Sequence, residues 1–273
     1  MIVSILDDFD PRKIAESGQC FRWRQVENNT WRIISADQCI YITPLGGTNY
    51  LFECDEDTFH FRWESYFDLL LNYRAIRARV SSNVDKFLYE AMEQEKGIRI
   101  LQQDPWEMLI SFIISQNRNI PAIQHSIEML AEMCGELKTD SRGRPFYSFP
   151  LPEAIASLSE QELKACRVGY RWKYIQAAAH AALHGDFCPD ILKGLSCEET
   201  IKRLTRLYGV GRKVACCIML FGLHQLNAFP RDVWINRILA NKYPDGYPYD
   251  LYSPYNGVYQ QYMFAYYRHE SRR

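Results

Sequence analysis

Near residue 60 the apolar residues of this chain change their period, and no other feature limits the fold as much. Runs rich in β-branched and aromatic residues occupy 20–26, 30–35, 39–43 and 50–52, parted by Glu27-Asn28-Asn29, Ala36-Asp37-Gln38 and Leu45-Gly46-Gly47-Thr48. Short runs separated by turn residues predict an antiparallel meander. After Phe61 the spacing becomes that of an amphipathic helix, with Phe67, Leu70 and Leu71 on one face, and it stays helical nearly to the C-terminus. Strands first and helices afterwards predict an α+β fold.

Local signals sharpen the helical part. Asp104-Pro105 before Trp106 reads as a helix start, with a capping carboxylate and proline at the first helical position. The helix that follows turns Met108, Leu109, Phe112 and Ile113 toward a core and reaches Ser115-Gln116-Asn117-Arg118-Asn119. Residues 139–152 are the most loop-like stretch, rich in Gly, Pro and Arg, and a helical run over 153–163 follows.

At 273 residues, 47% hydrophobic and 24% charged, the composition is that of a soluble globular protein of one or two domains, with no apolar run able to span a bilayer. The N-terminus carries Asp7, Asp8 and Asp10 and lacks a basic region ahead of a long apolar one, so a cytoplasmic, non-secreted protein is expected. Nine cysteines at irregular spacing are expected to be reduced thiols. Cys216 and Cys217 are adjacent and diverge on a helix, and C-x-x-C or Cys/His clusters are absent, so neither zinc nor an iron-sulfur cluster is expected. A net charge of −1 is silent about polyanions, since local patches rather than totals bind phosphates.

Chemistry concentrates after residue 200. Helical periodicity over 201–207 is interrupted by Tyr208-Gly209-Val210-Gly211 and resumes over 212–221. Two glycines around one apolar residue make a tight hairpin and leave amides at the N-terminus of the second helix, a surface that suits an anion; an ordinary helix-helix turn has the same sequence. Lys213 sits just inside that helix with Cys217 one turn on. A lysine there opposes the helix dipole, which favours the neutral amine that a nucleophile needs, although a solvated surface lysine is the plainer reading. Further on, Phe229-Pro230-Arg231-Asp232-Val233-Trp234 leads into another helix, where Asp232 suits an N-cap; capping also holds a catalytic carboxylate rigid and ionised.

Helix, G-V-G hairpin (about 200–222), lysine and Pro-x-Asp in this order resemble the helix-hairpin-helix DNA glycosylase superfamily, whose bifunctional members use that lysine and that aspartate. The first hairpin position is usually proline in the family and is Tyr208 here. Other segments resemble its 8-oxoguanine branch. Ser17-Gly18-Gln19-Cys20-Phe21-Arg22-Trp23 is similar to a signature in which the glycine carbonyl accepts a hydrogen bond from the proton that 8-oxoguanine carries on N7 and guanine lacks. Gln116-Asn117-Arg118-Asn119-Ile120 resembles the loop whose first asparagine, here Asn117, fills the gap left by the extruded nucleotide. Gly169-Tyr170-Arg171-Trp172 resembles the segment in which the tyrosine wedges into the stack and the arginine contacts the orphaned cytosine, roles that fall to Tyr170 and Arg171. Gln260-Gln261-Tyr262-Met263-Phe264 resembles the pocket helix: Gln260 bonds the Watson–Crick edge and Phe264 stacks on the base, with Cys217 closing its other face.

The resemblance spans Ser17 to Phe264 and implies an N-terminal antiparallel sheet domain with flanking helices (1–97) packed on a helical domain (98–273). It implies a monomer that binds duplex DNA containing an oxidised purine, with Lys213 as nucleophile and Asp232 as its partner. Gly209, Val210 and Gly211 would hold a phosphate, and a monovalent cation would suit the hairpin carbonyls; no organic cofactor is needed. Two positions depart from the family: Ala122 stands where some members have a cytosine-contacting arginine, and Trp234 where others have a phosphate-binding histidine. Two alternatives stay open, a monofunctional glycosylase for alkylated bases and a helix-hairpin-helix protein that binds DNA without catalysis.

Overall fold

The computed structural model describes residues 1–27 and 29–270. Strands β1 (Ile2–Ser4), β2 (Trp23–Glu27), β3 (Thr30–Ser35), β4 (Gln38–Gly46) and β5 (Asn49–Phe52) form an antiparallel sheet in the order β1-β5-β4-β3-β2. Its register follows from burial. Trp31 pairs with Ile42 and Ile33 with Ile40, and all four pack with Phe52, Phe59, Trp63 and Phe67. A slip of one residue would turn this apolar set to solvent.

Beside the sheet run the helices α1 (Pro11–Glu16), α2 (Lys86–Gln94), α3 (Pro105–Ser115), α4 (Ile120–Cys134), α5 (Trp172–Leu183), α6 (Cys197–Leu204), α7 (Arg212–Phe221), α8 (Val233–Lys242) and α9 (Asn256–Glu270), with shorter helical turns between them. The expected cap of α3 is present: Asp104 accepts from the Glu107 amide at 2.7 Å. α3 is the central element; Met108, Leu109, Ile110, Phe112, Ile113 and Ile114 are all buried, and it packs against α4, α5 and α7. Tyr73, Ile76, Leu88, Met92, Ile98 and Ile100 belong to this helical core, whereas Leu101 belongs to the sheet core. The buried Arg22 ties the two together, donating from Nη2 to the Tyr147 carbonyl at 2.7 Å and pairing through Nε with Glu128 on α4 at 3.2 Å.

Four expectations need correction. The stretch 139–152, read as loop, contains most of a second hairpin, β6 (Leu137–Thr139) and β7 (Pro145–Tyr147). Asp140 closes it, accepting from the Arg142 and Arg144 amides at 3.0 and 2.9 Å and from the Tyr41 hydroxyl of β4 at 2.6 Å. The run 153–163 is two helices, Pro152–Ala156 and Glu160–Ala165, because Ser159 and Glu162 form a capping box that starts the second. The strand expected over 20–26 is β2 and begins at Trp23 rather than Cys20, and β1 precedes it unforeseen. Leu70 is exposed, because the chain leaves the helix at Asp68, whose φ is +52°.

A buried acid makes stability depend on pH. Glu107 accepts from the Ala36 amide at 2.8 Å, and burial pushes its carboxyl up to about 7 against the opposing pull of Arg22. Its folded-state value lies above the ordinary one, so its contribution is fully present below about pH 4.5 and is lost as pH rises through 7. Glu107→Gln keeps the acceptor without the charge. Thermal melts at pH 8 should show it more stable than wild type by on the order of 2 kcal/mol, and at pH 4 equal to it; equal melting at both values would refute this assignment. Among the described residues no helix is long and apolar enough to cross a membrane.

Candidate active site

The hairpin between α6 and α7 is fixed by contacts that only glycine allows. Gly209 has a φ of +82°, and a Cβ built there would lie 2.2 Å from Cγ of Tyr174, so the Tyr174 ring lies against the bare backbone. Tyr174 in turn meets Tyr208 edge-on at 4.9 Å and Tyr170 at 5.9 Å. The Val210 amide donates to the Leu207 carbonyl at 3.0 Å, closing the turn. Gly211 caps α7 with no side-chain acceptor, which leaves first-turn amides free for an anion.

Lys213 lies in that first turn, its ammonium 5.7 Å from the centre of the Phe112 ring. Cys217 is buried one turn on; burial pushes its thiol up to about 11, with Lys213 pulling the other way, so it presents a neutral wall. Asp232 caps α8 as expected, accepting from the Ile235 amide at 2.8 Å. Its second carboxylate oxygen is left for other work.

The sheet domain supplies Gly18. Gln19 is fully buried and binds in several directions: its amide donates to Ser17 Oγ at 2.8 Å and to the Arg99 carbonyl at 2.9 Å, and it accepts from the Leu101 amide at 2.9 Å. Ser17 donates to the Ile14 carbonyl at 2.7 Å. Gly18, with a φ of +81°, is thus clamped from both sides and faces the Phe264 ring. Sequence reasoning named the glycine and missed Gln19, its holder, although the motif prints them side by side.

These residues converge. A cleft of ≈ 480 Å³ is lined by Gly18, Phe112, Arg118, Lys213, Asp232, Trp234, Phe264 and Arg268, among others. At its base a recess of ≈ 60 Å³ adds Cys217, Pro230, Gln260 and Gln261 to Gly18, Lys213, Asp232 and Phe264. The catalytic and base-binding candidates from four separate segments therefore share one hollow. Gln260 donates to the Pro230 carbonyl at 3.1 Å, and the Arg268 guanidinium lies 5.2 Å from the Phe264 ring centre.

The DNA-facing candidates divide. Tyr170 is exposed, and Asn117 takes a φ of +51° in the loop after α3. Arg171, by contrast, is buried: it donates to the Gln116 carbonyl through Nε at 3.0 Å and to the Val168 carbonyl at 3.2 Å, with its guanidinium 4.4 Å from the Tyr170 ring centre. The Gln116 side chain also donates to the Gly209 carbonyl at 3.0 Å, so this one residue, through its side chain and its own carbonyl, joins the Asn117 loop, the Tyr170 turn and the hairpin. Burial and repulsion by Arg171 hold the Arg118 guanidinium below its ordinary value, which marks an electropositive corner of the cleft. Trp234 is half-buried between Tyr267, edge-on at 6.1 Å, and Arg237, 5.4 Å from its ring. Ala122 donates its amide to the Asn119 cap of α4 at 2.9 Å. All nine cysteines are free, and among the described residues no three His, Cys, Asp or Glu side chains group as a metal site would.

Residues 1–109 match the profile of the 8-oxoguanine DNA glycosylase N-terminal domain, and residues 110–244 that of the HhH-GPD superfamily of base excision DNA repair proteins. The N-glycosylase/DNA lyase of Saccharomyces cerevisiae is 32% identical over 84% of this chain and 67% of its own length. Among solved structures, MBOgg1 in complex with a low affinity DNA ligand is 35% identical, with a TM-score of 0.92 over 99% of this chain and 96% of that one. The Clostridium acetobutylicum 8-oxoguanine glycosylase/lyase, in complex with double-stranded DNA containing cytosine opposite 8-oxoG, is 30% identical, with a TM-score of 0.89 over 99% and 98%. The sheet domain and the helical domain agree with these matches, and the chain belongs to the 8-oxoguanine DNA glycosylase family of the HhH-GPD superfamily.

Proposed function

We propose that this protein excises 8-oxoguanine from duplex DNA and then nicks the strand at the emptied sugar, as a bifunctional glycosylase and AP lyase of base-excision repair. One observation carries the reading: Gly18, Lys213, Cys217, Asp232, Gln260 and Phe264, distant in sequence, line a single recess. The relatives' names agree with it.

In this reading the flipped base lies between the Cys217 thiol and the Phe264 ring, donates its N7 proton to the Gly18 carbonyl and is read along its Watson–Crick edge by Gln260. A site built around one such hydrogen bond rejects guanine, which brings an acceptor to N7 and leaves the buried carbonyl unpaired. The neutral Lys213 amine attacks C1′ as the glycosidic bond breaks, and the base departs with the bonding pair and takes up a proton. Asp232 stabilises the positive charge that develops on the sugar. Proton loss and ring opening give a Schiff base; removal of a C2′ proton then expels the 3′ phosphate by β-elimination.

Gly209 and Gly211 hold a phosphate through their amides, while Val210, whose amide already closes the turn, contributes by shaping it. Tyr170 wedges and Asn117 fills the gap. Arg171 reaches an orphaned base only after letting go of the Gln116 carbonyl. Trp234 offers its ring or its N–H to the backbone. The chemistry uses no organic cofactor, zinc or iron-sulfur cluster; a monovalent cation on the hairpin carbonyls, a monomeric state and a cytoplasmic location belong to the same proposal. So does a division into units 1–97 and 98–273; the two apolar cores speak for two units, but Tyr73, Ile76, Leu88 and Met92 pack into the helical one ahead of that boundary and Leu101 into the sheet one beyond it.

Borohydride reduces a Schiff base to a stable amine. Incubating the protein with an 8-oxoguanine duplex and borohydride should give a covalent protein–DNA band on a denaturing gel; its absence, with the duplex bound and intact, would overturn the reading.

A further inference from the structure

One buried polar atom in the recess has no partner. Gln261 is 4% exposed and lines the recess, and its Oε1 makes no hydrogen bond among the described residues. Its Nε2 donates to Gln260 Oε1 at 2.9 Å, and Gln260 Nε2 donates to the Pro230 carbonyl at 3.1 Å. The polarity of this relay is not free. A backbone carbonyl only accepts, so Gln260 must turn its NH₂ to Pro230 and its oxygen to Gln261. Gln261 must then turn its own NH₂ to Gln260. Flipping either amide would set oxygen against oxygen or nitrogen against nitrogen. The end of the relay is therefore an acceptor, sealed from water and short of one donor.

We propose that Gln261 is a second specificity residue, whose Oε1 receives the exocyclic 2-amino group of the flipped purine. This rests on the 8-oxoguanine reading. A guanine-type base carries adjacent donors at N1 and at the 2-amino group, and the relay offers adjacent acceptors, a spare lone pair on Gln260 Oε1 and the open Gln261 Oε1. A purine without the 2-amino group leaves the second acceptor buried and unpaired. Gln260 alone, already engaged at both ends, has one lone pair and one N–H to give, and cannot count both donors.

The test compares single-turnover excision from duplexes carrying 8-oxoguanine or 8-oxohypoxanthine, which differ only in the 2-amino group. Wild type should prefer 8-oxoguanine by about 5- to 150-fold, the range for leaving one buried group unpaired. Gln261→Met, similar in volume, should bring the ratio of the two rates toward one, chiefly by slowing 8-oxoguanine. A ratio unchanged in Gln261→Met, including the case where both rates fall together, would overturn the proposal and leave Gln261 a packing residue. Absence of a wild-type preference would overturn it without any variant. Failure of wild type to excise 8-oxoguanine at all would instead sink the functional reading beneath it.

Discussion

Lys213→Gln should abolish the borohydride-trapped adduct and slow base release by on the order of a thousandfold or more. Glutamine has nearly the reach of lysine and keeps N–H donors toward the cleft, so the substitution removes the nucleophile while largely filling its space above Phe112. The lysine is assigned two tasks, attack on C1′ and formation of the Schiff base, and no other described lysine lines the recess. Glycosylase and lyase steps should therefore fall together. Measuring the affinity for an uncleavable duplex in parallel separates lost chemistry from lost binding. Undiminished trapping in this variant would remove Lys213 from the mechanism.

Gly209→Ala should lower stability by about 2–4 kcal/mol, the sum of a left-handed backbone for a residue with a side chain and a collision with a packed ring. For a chain of this size that is a melting-point drop of roughly 5–10 °C. The collision part has a named partner, since the new methyl would lie 2.2 Å from Cγ of Tyr174. Adding Tyr174→Ala should restore some of the loss, with a coupling above about 1 kcal/mol in a double-mutant cycle. Strict additivity would mean that the ring does not brace the hairpin. Affinity for duplex DNA should fall with stability in the single variant, because the amides proposed to meet phosphate sit on the same turn.

Much of this was legible in the chain because glycine and proline punctuate it sharply. The limits of α7 follow from Gly211 and Gly222 and appear in the structure where periodicity put them. Asp104 and Asp232 were readable as caps since a carboxylate before a helix has a local job. The hairpin β6–β7 was not readable. Its strands are three residues long, Phe146 is their one buried residue, and what holds it is Asp140 bonded to Tyr41 about a hundred residues away. β1 is equally short, and its partner β5 is distant in sequence. Within the site, the family resemblance named the residues proposed to touch a substrate and overlooked those that hold them: Gln19 behind Gly18, Tyr174 behind Gly209, Gln116 behind both loops. Nor does spacing say where a long side chain points. Arg171 is expected to face DNA and instead grips a carbonyl.

The base-binding recess measures ≈ 60 Å³, room for about two waters. A purine is far larger, so Phe264 and its neighbours have to separate before one can enter. That separation works against every visitor alike, and a loose nucleobase brings only its own contacts to offset it. A nucleotide still joined to its strand would, in the proposed reading, arrive with its phosphates already held by the hairpin, and that attachment would drive the separation. Under the proposed function, the tight fit at rest thus favours a base still attached to its strand over the same base free in solution.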